Sequence, residues 1–111
     1  MAEALLRFRL GDDGEAETLY VSGELDVASA PALEHAVAHA VDGQGAEFRL
    51  DLSGLTFMDS SGAGGLVHVH HRVGAIGRRL VIVSPTRTVQ RVIDLMGLDQ
   101  VLDVRVGDAA A

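Results

Sequence analysis

The segment Met58-Asp59-Ser60-Ser61-Gly62 gathers a carboxylate, two successive hydroxyls and a glycine at a point where a strand-like run gives way to a helix-like one. A side chain at such a junction can cap free backbone N–H groups, and either Asp59 or Ser60 suits that task. A phosphate on one of these hydroxyls would face the same N–H groups and the positive end of the helix dipole. Gly62 and Gly64 lack a Cβ, so another chain can approach the backbone closely. Catalytic templates do not fit. A nucleophile elbow needs glycine two residues before the serine, where Met58 stands. A dinucleotide fingerprint starting at Gly62 and Gly64 meets Val67 in place of its last glycine. A phosphate loop needs a lysine, and the chain contains none. On local features the segment reads first as a helix N-cap with glycines that relieve crowding against the sheet, not as an active site, and no enzyme activity is expected.

The histidines form a second group with chemical potential. His35 and His39 are one helical turn apart, and His68 and His71 are three residues apart. Each pair has metal-ligand spacing, yet no further His or Cys nearby completes a set. They read as polar outer faces of helices, and no metal or other cofactor is expected.

Bulk properties narrow the partners. The chain has 111 residues, with 9 basic and 16 acidic side chains and a net charge of -7. Its most basic cluster is Arg78-Arg79, too small for the counterion release that drives duplex binding, so no direct nucleic-acid contact is expected. With no cysteine, disulfides and thiolate zinc sites are excluded. Met1 to Arg9 has no signal-peptide character, and no run approaches the ~20 apolar residues that span a bilayer. The expected location is the cytoplasm, without a membrane partner.

The elements that must position the serines follow from periodicity. Leu5 to Leu10 alternates as a strand, Gly11-Asp12-Asp13-Gly14 turns, and Leu19 to Leu25 returns, which predicts an antiparallel hairpin. Ser29 is a favoured N-cap and Pro31 suits a first turn, opening a helix with Leu33, Val37, Ala40 and Val41 inward and Asp42 to Gly45 at its end. Phe48, Leu50 and Leu52 mark a third strand, broken by Ser53-Gly54. A second helix runs through Leu66, Val67, Val69, Val73 and Ile76 to Gly77. The apolar run Leu80-Val81-Ile82-Val83 predicts a strand covered on both faces. Pro85 and Thr86 open a third helix with Val89, Val92, Ile93 and Met96 inward and Gly97 as its stop. Val101 to Val106 forms a last short strand, and Gly107 to Ala111 a frayed tail. Such alternation predicts one α/β domain over residues 1–111, with its core at about 5–104 and a mixed, mainly parallel sheet of about five strands. Partners in such sheets meet the loops at the strands' carboxyl ends, here Glu24 to Ser29, Met58 to Gly62 and Ser84 to Arg87.

Taken in order, Gly23-Glu24-Leu25-Asp26, Ala30-Pro31-x-Leu33, Leu50-Asp51-Leu52-Ser53-Gly54-Leu55, Phe57-Met58-Asp59-Ser60-Ser61-Gly62, Arg79-Leu80-Val81-Ile82-Val83 and Val92-x-x-x-Met96-Gly97-Leu98-Asp99 resemble a STAS domain of the anti-sigma factor antagonist type. The resemblance covers roughly Leu5 to Val104, and the Met-Asp-Ser-Ser-Gly piece is its most specific part. It implies a partner-switching cycle. The unmodified protein would bind an anti-sigma factor that is also a serine kinase and so release the sigma factor. The kinase would phosphorylate Ser60, ending the interaction, and a PP2C-type phosphatase would reset it. Asp59 is expected to orient the hydroxyl. Asp26 is expected on the same partner surface, and Ser61 and Gly62 as contact and helix-start residues. The chain departs from the family at Ala63 and Gly65, where bulkier apolar residues are usual, in its His-rich second helix, and in lacking the family's final amphipathic helix. The same fold also serves as an unphosphorylated scaffold or sensor and as a soluble accessory subunit of lipid or solute transporters. The presence of both Asp59 and Ser60 favours the switch. Oligomeric state is open at this level.

Overall fold

The computed structural model describes residues 6–12, 17–41 and 45–106. Five strands form one sheet in sequence order, β1 (Leu6–Asp12), β2 (Glu17–Leu25), β3 (Glu47–Met58), β4 (Arg79–Val83) and β5 (Asp103–Arg105). The first pair is antiparallel and the remaining pairs are parallel. Three helices connect the parallel strands, α1 (Ala30–Ala40), α2 (Ser60–Ala75) and α3 (Arg87–Leu95). This is the mixed α/β architecture with an N-terminal hairpin that the alternation predicts.

One apolar cluster holds sheet and helices together. Leu19, Val21, Phe48, Leu50, Leu52, Leu80 and Ile82 from the strands meet Leu33, Val37, Leu66, Val69, Val73, Val89 and Ile93 from all three helices. Strand side chains alternate between faces, so the helices share one face of the sheet. Val81 points the other way. It is buried with no helix over it, flanked in register by Arg49 and Asp103. The expected strand covered on both faces is found, with Leu80, Val81 and Ile82 all buried; on the face without helices its register neighbours are polar. On that open face Glu47, Arg49, Asp103, Arg79 and Arg105 form a chain of ion pairs. The hydrogen bond from Arg105 to Glu47, reinforced by the Asp103 charge, raises the arginine pKa above its ordinary value.

Ser53-Gly54 does not end β3. The strand runs on to Met58, with register shifts against β2 between Tyr20 and Ser22 and between Gly23 and Glu24. Each shift places one extra residue in β3, and such bulges re-phase the side-chain alternation. The inward series consequently changes from Phe48, Leu50, Leu52 to Leu55 and Met58. Gly54 permits this crossing, because a Cβ there would stand 2.8 Å from the Ser22 Cβ. This extension carries β3 to the level of the β2 end and sets Met58 beside Leu25.

Other boundaries also move. Met96 is the exposed C-cap of α3 instead of a buried stripe residue. The last strand is three residues, preceded by a 3-10 turn at Leu98–Gln100. Leu5, Asp13-Gly14, Asp42 to Gln44 and the expected tail Gly107 to Ala111 lie outside the described residues.

Candidate functional site

The carboxyl ends of β2 and β3 are neighbours, so their loops meet. Leu25 pairs with Met58 in register, and the Leu25 carbonyl accepts the Asp59 N–H at 3.3 Å. Leu25 also forms the floor of the α2 start. A Cβ on Gly62 would fall on the Leu25 carbonyl, 2.8 Å from its carbon and 2.9 Å from its side-chain Cγ. A Cβ on Gly65 would press the Ala30 methyl of α1 at 3.2 Å. The glycine-rich stretch is a poor helix former, yet it is helical from Ser60 onward because Gly62, Ala63 and Gly65 are buried against these neighbours.

Asp59 is the N-cap of α2. Its backbone is extended and its Oδ1 accepts the Gly62 N–H at 2.9 Å. Of the two candidates for that task, Asp59 performs it. Among the described residues its carboxylate makes no hydrogen bond to the Ser60 hydroxyl. Asp59 fixes the helix start on which Ser60 stands. Ser60 and Ser61 follow as the first two helical residues, both exposed. Among the described residues, neither hydroxyl has a hydrogen-bond partner. Ser29, Ser53, Thr56 and Thr86 contrast with them, each donating its hydroxyl to a nearby oxygen.

Asp26 lies one residue beyond Leu25, in the adjoining loop. Its Oδ1 accepts from Ala28 N at 3.0 Å, Ser29 N at 3.1 Å and Ser29 Oγ at 3.2 Å. It therefore folds the loop, besides facing the surface. Ser29 is the N-cap residue of α1 by position, but its hydroxyl caps nothing there. It donates to Glu24 O at 2.8 Å and accepts the Asp26 N–H at 3.0 Å. The predicted serine side-chain cap does not form: the Ser29 hydroxyl turns back into the loop, and the first-turn N–H groups of Ala32 and Leu33 are taken by the Ser29 carbonyl.

The third loop is tied to the same end of β3. Thr86 donates to Leu55 O at 2.9 Å and accepts the Val89 N–H, capping α3. Ser84 holds a left-handed backbone at φ 54°, and its N–H is taken by Arg105 O at 2.9 Å.

Two apolar residues at this end were not singled out by the sequence. Val27 is 72% exposed and Phe57 is 42% exposed, beside the exposed Glu24. Phe57 pairs in register with Glu24, so the surface combines apolar and acidic groups. The available signal was Phe57-Met58, two large apolar neighbours that cannot both face inward. A groove of about 1100 Å³ runs alongside, lined by Glu24, Asp26, Ser29, Thr56 and Arg7.

His35, His39, His68 and His71 lie exposed on the outer faces of their helices, whereas His70 is half-buried with an unpartnered Nδ1. His35 and His39 rings stand 4.4 Å apart on α1, and His68 lies 3.5 Å from Glu34 across the two helices. No group of three potential metal ligands occurs among the described residues. Likewise no described helix is long and apolar enough to cross a membrane.

Comparison with known proteins places this geometry. The family model described as "Mlab, STAS domain" matches residues 8–104. The anti-sigma-B factor antagonist of Bacillus subtilis is 32% identical over 84 residues, covering 76% of each chain. The crystal structure of an anti-sigma factor antagonist from Mycobacterium paratuberculosis superposes with a TM-score of 0.77 at 28% identity, covering 91% of this chain and 86% of that one. The Bacillus cell fate determinant SpoIIAA in its phosphorylated form shares the fold, with a TM-score of 0.62 at 24% identity and coverage of 88% and 90%.

Proposed function

The chain belongs to the STAS domain family, and from that premise we propose that it is an anti-sigma factor antagonist whose binding is switched off by phosphorylation of Ser60. The observation that carries this reading is the state of the Ser60 hydroxyl: exposed, unengaged and at the first position of a capped helix. The partner is an anti-sigma factor that is itself a serine kinase using ATP. The transfer chemistry belongs to that partner, so this chain is substrate and binding module, not enzyme. A PP2C-type phosphatase restores the unmodified form, and the cycle runs in the cytoplasm.

The residues divide the work. Ser60 accepts the phosphate. Asp59 and Gly62 hold the helix start that presents it, one by capping Gly62 N–H and the other by leaving room for Leu25. Asp26 shapes the neighbouring loop and supplies negative charge to the contact surface. Ser61 contacts the partner beside Ser60.

The switch needs no refolding. Phosphorylation adds about -1.5 to -2 charges at neutral pH. The new group stands at a helix N-terminus that tolerates it, while Glu24, Asp26 and Asp59 already make the surface acidic. Like charge and bulk then act on the interface alone. A penalty of about 3 kcal/mol lowers affinity more than a hundredfold, since ~1.4 kcal/mol is tenfold. The solved phosphorylated form of SpoIIAA, a protein of the same fold, is in keeping with this economy.

The direct test uses the purified anti-sigma factor kinases of the source organism and ATP. One of them should add a single phosphate, mapped by mass spectrometry to Ser60 and absent from Ser60→Ala. Full phosphorylation of the Ser60→Ala variant would sink the assignment.

A further inference from the structure

A second surface, unrelated to Ser60, is built for a partner. Helix α3 turns Val89 and Ile93 inward, and its outward stripe carries Arg87, Arg91 and Leu95 at successive turns. A groove of about 530 Å³ runs along this stripe, lined also by Pro85, Gln90, Asp94 and Val106. Leu95 is 79% exposed and Val106 70% exposed, so two large aliphatic side chains stand bare at one place.

The charges there are also unmatched. Arg49, Arg78, Arg79 and Arg105 pair with carboxylates, and Arg9 lies over the Tyr20 ring. Arg87 and Arg91 have no such partner among the described residues. The nearby Asp94 accepts instead from the Gln90 amide at 2.8 Å. Arg7 and Arg72 are unpaired too, but each stands apart from a second unpaired arginine. In a chain of net charge -7, two free guanidinium groups one turn apart are a local exception.

We infer that this α3–β5 groove binds an acidic amphipathic helix of a protein partner. Two carboxylates one turn apart on that helix meet Arg87 and Arg91, and its apolar stripe covers Leu95 and Val106. Arginine suits this task because its planar fork pairs with carboxylates in two-bond geometry. The bare aliphatic walls require an apolar complement, which a free inorganic anion lacks. A second copy of this chain fits poorly. A two-fold axis through the middle of α3 would set Arg91 against Arg91 of the other copy, like charge on like charge.

The proposal is independent of the Ser60 reading and is tested without the natural partner. The probe is a fluorescein-labelled helical peptide of about 15 residues, long enough to hold a helix, with two Glu four positions apart and Leu on the adjoining stripe. Its counterpart has Gln in place of both Glu. The Glu peptide should bind, with amide NMR shifts confined to residues 85–106. Binding should weaken about tenfold with the Gln peptide, with Arg87→Glu/Arg91→Glu and with Leu95→Ser, and should weaken as salt rises. The three substituted positions are exposed, so melting temperatures should stay near wild type and report intact folds. Ser60→Ala should bind the peptide as wild type does. Equal affinity for the two peptides, shifts outside the groove, or binding to phosphatidylglycerol vesicles with no response to the peptide would overturn the proposal.

Discussion

At the amino-terminal ends of the parallel strands one buried arginine does the joining, while at their carboxyl-terminal ends the loops after β2 and β3 are shaped by short-range carboxylate contacts. Arg78 is 5% exposed and reaches across three segments. It donates to Gly45 O, to Glu47 O and to the Glu17 carboxylate, 31 to 61 residues away in sequence. At the other end Asp26 and Asp59 satisfy N–H groups within three residues of themselves. The serines beside Asp59 hold nothing together. A charge added at Ser60 therefore changes the surface with little effect on the fold, whereas any change at Arg78 is a change to the fold.

Stability measurements can break this contrast. The largest loss is expected from Arg78→Ala, which strands the Glu17 carboxylate and two carbonyls. A destabilisation of about 3 kcal/mol in urea unfolding is the expectation for removing one partner of a buried charged network. Gly62→Ala comes next, at about 2 kcal/mol, because its Cβ collides with backbone that must shift. This variant should also disturb the Ser60 surface, so phosphorylation should slow. A cost near zero would mean that Leu25 does not floor the helix start. Asp59→Ala should lose about 1 kcal/mol, the usual worth of a capping carboxylate, and Asp26→Ala about 1 kcal/mol for its hydrogen bonds to loop N–H groups. Asp59→Asn should recover most of its loss, since an amide oxygen can still accept the Gly62 N–H. Smallest of all is Ser60→Ala, expected within about 0.5 kcal/mol of wild type, as for surface changes generally. A loss as large as that of Arg78→Ala would show that the hydroxyl is structural and would erase the contrast.

The two ends were not equally legible in the sequence. Asp59, Ser60 and Gly62 are adjacent, and their meaning as a helix start is local, so spacing alone located them. The order of motifs around them indicated the family. Asp26 was legible as a residue of the loop after β2, but its loop-folding role was not, because it rests on hydrogen bonds to Ala28 N, Ser29 N and the Ser29 hydroxyl. Arg78 gave no signal, because its partners come from β2, β3 and the chain before β3. It looked like half of a small basic cluster, while only Arg79 is exposed. The continuation of β3 past Ser53-Gly54 was equally hidden. A glycine reads as a break until a neighbouring strand is seen to need the space. Tertiary contacts, not local preference, decided each of these cases.

The central claim is that phosphate acts on the interface and not on the fold. It is tested most directly by titrating the anti-sigma factor kinase, without ATP, into unmodified and Ser60-phosphorylated protein in a calorimeter. The account predicts at least a hundredfold weaker binding of the phosphorylated form, about 3 kcal/mol, with its melting temperature close to that of the unmodified protein. Equal affinity of the two forms, or a phosphorylated form that has lost its folded stability, would contradict it.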